Sequence, residues 1–358
     1  MNADVGKRPR NIKCVVWDLD HTLWDGVLLE NAVVSELKPG IRDTIATLDE
    51  RGILHSIASR NDPEIAVAKL TELGVADYFL HPQIGWDNKS TSVATIAKLL
   101  DIGIDTLAFV DDQELERDEV GFAHPEVLCI DAEQAATLAD RPEFQPRHVT
   151  ADSRARRHMY RASIERSTAE EHFSGTNEEF LATLGMRFRI SPAGAADIGR
   201  AEELVVRTNQ LNSTGVMYSA EDLAAHAESA DHLLLMAELE DKYGTYGQVG
   251  VALVERGVHQ WRLKLLLMSC RVISRGVGTV LLNYVVRLAH GEGARLVAEY
   301  VPTDRNRIMY ITYRFANFAE LGEENGVTLL AAPAVPPALA PSYLTVDTVE
   351  TVASERRR

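Results

Sequence analysis

Two carboxylates stand two residues apart in Asp18-Leu19-Asp20-His21-Thr22, directly after the apolar run 12–17 (IKCVVW). A second pair, Asp111-Asp112, follows the apolar run 106–110 (TLAFV). Carboxylates spaced this way at a strand end can face one pocket once the chain leaves the pleat. Three or four of them converging there repel one another unless a cation is bound. Oxygen-only ligands favour a hard ion, and Mg²⁺ keeps waters and phosphate oxygens as further ligands. Ser59 closes a third apolar run, 53–58 (ILHSIA), and offers a donor to a phosphate oxygen. Lys89 adds a point charge able to balance phosphate and carboxylates. A carboxylate nucleophile, a carboxylate acid/base, a cation and a phosphate clamp together describe phosphoryl transfer. A single Asp pair in a loop is more often a cap or a solvated turn; the ordered set weighs toward function.

The second half holds one further reactive type. Cys270 follows the apolar run 263–268 and precedes Arg271, Arg275 and Gly276. Positive charge and a helix N-terminus both favour the thiolate, so Cys270 reads as either a core residue or a nucleophile. Cys14 and Cys129 sit inside apolar strands and read as core. Gly276 and Gly278 precede a helix, which suits a phosphate or a pantetheine pyrophosphate. No His lies near Cys270 in sequence; His259 or His290 could approach it only in space, so a Cys–His dyad stays unassigned.

These residues need elements to position them. From 12 to 131, strands alternate with helices: strands at 12–17, 53–58, 106–110 and 127–130, helices from Pro39 to Gly52, from Asp62-Pro63 to Gly74, from Ser90 to Leu100 and around Leu115–Phe122. That alternation predicts a doubly wound parallel sheet, whose ligands collect at the carboxyl ends of the strands. From 180 the pattern changes to successive strands at 233–239, 248–254 and 261–268, a helix from Gly276 to His290 and a strand at 295–300, an α+β arrangement. The expected divisions are a flexible N-terminus at 1–11, an α/β domain at 12–150 and a helical connector at 151–179. An α+β domain follows at 180–330, then a Pro/Ala-rich tail at 331–358, whose stretch 331–341 is expected to be extended. The connector's Arg154, Arg156, Arg157, Arg161 and Arg166 form either a solvated helix face or a phosphate-contacting surface.

The 358 residues fit two domains, and 46% hydrophobic with 25% charged residues is an ordinary globular composition. No apolar run reaches the ~18–20 residues of a membrane span, and the start lacks a signal-peptide core. Three cysteines suit a reducing cytoplasm. A net charge of −16 argues against nucleic acid as partner.

The order Asp-x-Asp-x-Thr, Ser, Lys, Asp-Asp resembles the haloacid dehalogenase (HAD) superfamily of phosphotransferases. The resemblance implies that Asp18 is the nucleophile, Asp20 the acid/base, Thr22 an orienting residue and Ser59 a phosphoryl ligand. It implies that Lys89 steadies the intermediate and that Asp111, with Asp112, joins Asp18 and Asp20 at Mg²⁺. Only 36 residues separate Thr22 from Ser59, too few for a mobile cap, so the site is open to a large partner or covered by another part of the chain. The second half resembles GNAT-type acyltransferases, whose motif is Gln/Arg-x-x-Gly-x-Gly. Gly276 and Gly278 match it, and Ile273 stands at the Gln/Arg position.

Both halves together resemble the FkbH-like proteins of polyketide biosynthesis over roughly Lys13–Phe318. The stretches that carry this are KCVVWDLDHTLW, IASRNDP, IGWDNKS, FVDDQELERDEV, RTNQLNST, YGQVGVALV, MSCRVISRGVG and AEYVPTDRN. The family takes 1,3-bisphosphoglycerate and delivers a glyceryl group to a phosphopantetheinylated acyl carrier protein. The resemblance implies that Cys270 carries the glyceryl thioester and that the HAD site removes the phosphate. It adds Arg60, Asn61, Arg271 and Arg275 as substrate-binding candidates. Asn209, Gln210 and Asn212 either bind glyceryl hydroxyls or form a capping turn, and Glu299 and Tyr300 could flank the acyl site. His21 replaces the family's usual Asn, Asp25 its Gly, and Lys264 an acidic residue. Carrier proteins are acidic, so a basic patch is expected at Arg154, Arg156, Arg157 and Arg161, or at Arg271 and Arg275. The alternatives are a plain Mg²⁺-dependent HAD phosphatase and a non-catalytic docking protein.

Overall fold

The computed structural model describes residues 11–30, 34–208, 211–304 and 306–349, with the side chains of Arg207 and Cys270 outside the description. The expected flexible N-terminus, Asn209 and Gln210 therefore lie outside the described residues or, for the N-terminus, almost entirely so. The chain divides into two compact units, residues 1–161 and 162–358. Among the described residues, no helix is long and apolar enough to cross a membrane.

The first unit is built on five strands: β1 Cys14–Trp17, β2 Leu54–Ser59, β3 Gln83–Ile84, β4 Leu107–Asp111 and β5 Leu128–Asp131. They lie in the order β3-β2-β1-β4-β5, and every pair is parallel. β1, β2 and β4 are buried along their whole length, which is why they read as continuous apolar runs. Val15 and Trp17 share a core with Ile41, Ile45, Leu48, Ala66, Leu70 and Leu138. Cys14, Val16 and Phe109 are fully buried outside that cluster, so both sheet faces are covered. The first helix spans Ile41–Glu50 rather than opening at Pro39, because Gly40 takes φ 80° and only the next residue enters the helix. Asp62 caps the next helix, Pro63–Glu72, accepting from the N–H groups of Glu64 and Ile65 at 3.0 Å each. The helices Lys89–Leu99 and Glu114–Ala123 follow β3 and β4 and meet through Ser90 and Glu119.

The second unit holds β6 Met186–Pro192, β7 His232–Asp241, β8 Gly244–Glu255, β9 Gln260–Met268, β10 Arg295–Tyr300, β11 Ala319–Glu324, β12 Val327–Ala331 and β13 Leu344–Thr348. Their order is β11-β12-β10-β9-β8-β7-β6-β13. β6 to β9 form an antiparallel meander, and β9 pairs parallel with β10 across the helix Val277–Gly291. This is the α+β arrangement expected. The β9–β10 ladder ends at Leu263↔Ala298. Beyond it the segment 211–213 bonds to both sides: Ser213 N–H reaches Leu266 O, Met268 N–H reaches Leu211 O, and Val301 N–H reaches Ser213 O.

The Pro/Ala-rich stretch 332–343 stays out of any helix or strand, and after it Leu344–Thr348 adds a parallel strand to the open edge of β6, an element the sequence reading did not expect. The connector, 151–179, is helical, and most of its named arginines are held by contacts rather than standing as a free basic face; Arg154 is exposed. Arg156 donates to Gly52 O at 2.8 Å, Arg157 pairs with Asp49 at 2.9 Å and lies 4.6 Å from the Tyr78 ring, and Arg161 pairs with Asp77 at 3.0 Å. Within the second unit, fully buried Arg166 pairs with Asp241 at 2.7 Å over the Tyr246 ring. Planar guanidinium groups suit such buried carboxylate and aromatic contacts.

Candidate active site

Asp18 follows β1 and Asp111 ends β4, and the register Trp17↔Val110 sets the two side by side. The strand order reverses between β1 and β4, so the crevice between them is the switch point where such sheets take ligands. Lys89, the first residue of its helix, reaches across this crevice. Its Nζ lies 2.5 Å from Asp18 Oδ1, 2.8 Å from Asp111 Oδ2 and 2.9 Å from Glu116 Oε2. A cation at a helix N-terminus opposes the dipole, and only the carboxylates account for it there. Ser59, 4% exposed at the end of β2, hydrogen-bonds Asp18.

Three buried carboxylates, Asp18, Asp111 and Glu116, place oxygens within 4.8 Å of one another. Burial raises the Asp18 carboxyl despite Lys89 and Ser59. Burial, and then the Asp18 charge, push Asp111 up to about 7 against the pull of Lys89. Burial alone would lower the Lys89 ammonium, but Asp18 and Asp111 hold it well above its ordinary value. Glu116 is the best compensated: burial works against its ionisation, but Lys89 and Arg60, at 3.2 Å, bring it below the usual range. One buried ammonium does not satisfy three carboxylates, and an oxygen-only set of this kind fits a hard divalent cation.

The structure regroups the residues expected at the metal. Asp18 and Asp111 belong to the cluster; Asp20 and Asp112 are not in it, and Glu116 is. Asp20 is turned to Trp24, Leu28 and Asn61 instead, through bonds of 2.8, 3.1 and 2.9 Å. Asp112 Oδ1 and Thr22 Oγ1 are buried with no hydrogen-bond partner among the described residues. Glu116 escaped the sequence reading, although it sits four residues before Val120, and these are the two buried positions of an otherwise open helix. An acidic residue in apolar phase was the available signal. His21 adopts φ 56°, a region in which Asn and His are both enriched, so its exchange for Asn suits the turn. Asp25 is exposed and 3.7 Å from Lys38.

The second unit gathers fewer of its candidates. Cys270 opens the short helix Cys270–Arg275, directly after β9, and its side chain lies outside the described residues. His259 precedes the opposite end of β9, and His290 closes the helix Val277–Gly291, ~20 Å from its start at 1.5 Å per residue. Both therefore sit at the far ends of the elements whose near ends adjoin position 270. Asn212 is the capping turn: Oδ1 accepts from the Thr214 and Gly215 N–H groups and Nδ2 donates to Val216 O. Glu299 pairs with Lys264 at 2.8 Å, which gives that lysine a structural partner. Tyr300 donates to Asn306 Oδ1 at 3.3 Å. Arg271 donates to Ser269 Oγ at 3.4 Å, and buried Arg275 pairs with Glu170 at 3.1 Å. Gly276 takes φ 73° before the helix, and a side chain at Gly278 would meet Met268 of β9 at 3.3 Å. Cys14 is buried, burial raising its thiol, while Cys129 on edge strand β5 is only half-buried.

No protein-family model and no curated protein matches the chain. Among solved structures it is similar to the N-terminal part of the protein BF1531 from Bacteroides fragilis, containing a phosphatase domain complexed with Mg, at 25% identity and a TM-score of 0.31. That overlap covers 34% of this chain and 36% of that one. It is also similar to the ribosomal-protein-S18-alanine N-acetyltransferase from Escherichia coli, at 16% identity and a TM-score of 0.33, over 41% of this chain and 93% of that one. A PaiA N-acetyltransferase from Thermoplasma acidophilum in complex with coenzyme A overlaps 40% of this chain and 98% of its own, at 13% identity and a TM-score of 0.34.

Proposed function

We propose that the first unit is a Mg²⁺-dependent phosphatase of the HAD type and that the chain as a whole loads a glyceryl group onto an acyl carrier protein. One observation carries the first statement: Asp18 and Asp111, on adjacent parallel strands at the switch point, share the buried Lys89 with Glu116. Asp18, Asp111 and Glu116 would hold the cation, which when bound offsets the charge of the phosphoryl oxygens. An Asp18 oxygen attacks phosphorus while the bond to the leaving oxygen breaks, and Asp20 supplies that oxygen's proton. Water then attacks phosphorus, Asp20 takes its proton, and the bond to Asp18 breaks to release phosphate. Lys89 as a charge and Ser59 as a hydrogen-bond donor hold the transferring group, roles worth more in a buried site than in water.

The glyceryl step rests on the sequence resemblance. The Cys270 thiolate attacks the acyl phosphate carbon of 1,3-bisphosphoglycerate and expels phosphate, which leaves a phosphoglyceryl thioester. The phosphatase site hydrolyses the remaining phosphomonoester, and the carrier's pantetheine thiolate displaces the Cys270 thiolate. Intact mass spectrometry of protein and carrier after incubation with 1,3-bisphosphoglycerate and Mg²⁺ tests this. The expected product is a glyceryl adduct on the carrier, lost with Cys270→Ala and retaining phosphate with Asp18→Asn. Phosphate release with no acyl adduct leaves the phosphatase alone; a dephosphorylated adduct from Asp18→Asn overturns the role of Asp18.

A further inference from the structure

The Asp20 carboxylate is held more completely than its reaction role requires. Oδ1 accepts from the indole N–H of Trp24 at 2.8 Å and from the Leu28 N–H at 3.1 Å. Oδ2 accepts from Asn61 Nδ2 at 2.9 Å. Trp24 and Asn61 are both fully buried. The Asn61 amide is itself fixed, since its Oδ1 accepts from the Asp62 N–H at 2.9 Å. The Trp24 indole is brought back to Asp20 by a tight turn: Leu23 N–H bonds Leu19 O at 2.8 Å, and His21 takes φ 56°. A carboxylate offers about four lone-pair positions. Among the described residues, two on Oδ1 and one on Oδ2 are used, which leaves a single open position, on Oδ2.

We infer that Trp24 and Asn61 are positioning residues for Asp20 and that they make Oδ2 the one oxygen that exchanges a proton with substrate. This rests on the phosphatase reading above. The proton on Oδ2 passes to the leaving oxygen as its bond to phosphorus breaks, and Oδ2 regains a proton from the attacking water. Without the Trp24 N–H, Oδ1 is held by one backbone donor alone and the carboxylate can rotate about its Cβ–Cγ bond. A poor leaving group then suffers most, because it cannot depart without its proton.

The test compares kcat/KM for ethyl phosphate and p-nitrophenyl phosphate, with Mg²⁺, in the full chain. Trp24→Phe keeps the buried ring and removes the N–H. It is expected to lower kcat/KM for ethyl phosphate at least about tenfold more than for p-nitrophenyl phosphate, part of the 10²–10⁴ that a placed acid contributes. In an Asp20→Asn background the same change is expected to cost nothing further in that ratio, since there is no acid left to position. Equal losses on the two substrates would make Trp24 a packing residue only and overturn the inference. Should Trp24→Phe fail to fold by thermal melt, Asn61→Ala carries the same comparison and the same two outcomes. A wild-type chain that releases no phosphate from either substrate overturns the phosphatase reading itself, which is a different result from equal losses in an active enzyme.

Discussion

Lys89 places one ammonium against three buried carboxylates, so its removal leaves Asp18 and Asp111 with no ion-pair partner among the described residues and Glu116 with Arg60 alone. Breaking a buried ion pair from one side costs about 3–5 kcal/mol. Lys89→Met is expected to lose that much stability in chelator, measured by urea unfolding, and to recover part of it in Mg²⁺ by mass action. A deficit indifferent to Mg²⁺ would remove the carboxylates from consideration as its ligands. His55 gives the pH dependence. It accepts from the Trp17 indole at 3.0 Å and contacts Ile45 O at 3.1 Å. Burial lowers its pKa from 6.5 to about 3, the Ile45 contact working the other way. The unfolded chain therefore takes up a proton near pH 6.5 that the folded chain refuses until about pH 3. Its contribution is complete above pH 6.5 and is lost at about 1.4 kcal/mol per pH unit as pH falls between those values. Unfolding free energies measured from pH 7 to 4 should show that slope flattened by His55→Gln.

At the scale of elements, the site depends on where strands stop and helices start. Gly52 ends the helix Ile41–Glu50 at φ 73°, and a Cβ there would meet Ser153 O at 2.7 Å. Gly52→Ala is expected to destabilise by more than the ~1 kcal/mol of an incompatible backbone alone, because the clash is with main chain. Asp62→Ala removes the cap of Pro63–Glu72 and should cost about 0.5–2 kcal/mol. A thermal or urea melt checks both, and a neutral Gly52→Ala would mean that 52–53 and 151–154 do not pack as described. β1, β2 and β4 were legible as apolar runs because both their faces are buried, and β5 was read as the short run 127–130. β3 was not, since two residues carry no pattern. β6 was visible in principle: Met186, Phe188 and Ile190 point inward while Arg187 and Arg189 are exposed.

For the whole molecule, the net charge of −16 predicts self-repulsion rather than a partner. The screening length falls from ~30 Å at 0.01 M to ~8 Å at 0.15 M salt, which weakens the repulsion, so Tm should rise between those concentrations. A Tm that falls instead would mean that ion pairs such as Arg157–Asp49 outweigh the repulsion. The expected carrier-docking patch loses Arg156, Arg157 and Arg161 to contacts within the first unit. Arg157→Ala should accordingly lower stability more than it lowers carrier loading.

The sequence determined which carboxylates end which strands, that a lysine stands at the next helix start, and that the first half is α/β and the second α+β. Those follow from residue type and local periodicity, which survive without tertiary contacts. Only the tertiary structure decided which carboxylates meet. Asp18 and Asp111 are 93 positions apart yet adjacent by strand register, whereas Asp20, two positions from Asp18, turns to Trp24 and Asn61. Glu116 joins the cluster and Asp112 does not, because a helix phase and not a sequence spacing aims the side chain. The arginine-rich helix was an open choice between solvent and phosphate until Asp49, Asp77 and Asp241 were found beside it. Partners remote in sequence settle such choices, since a charge is oriented by whatever the fold brings within a few ångströms of it.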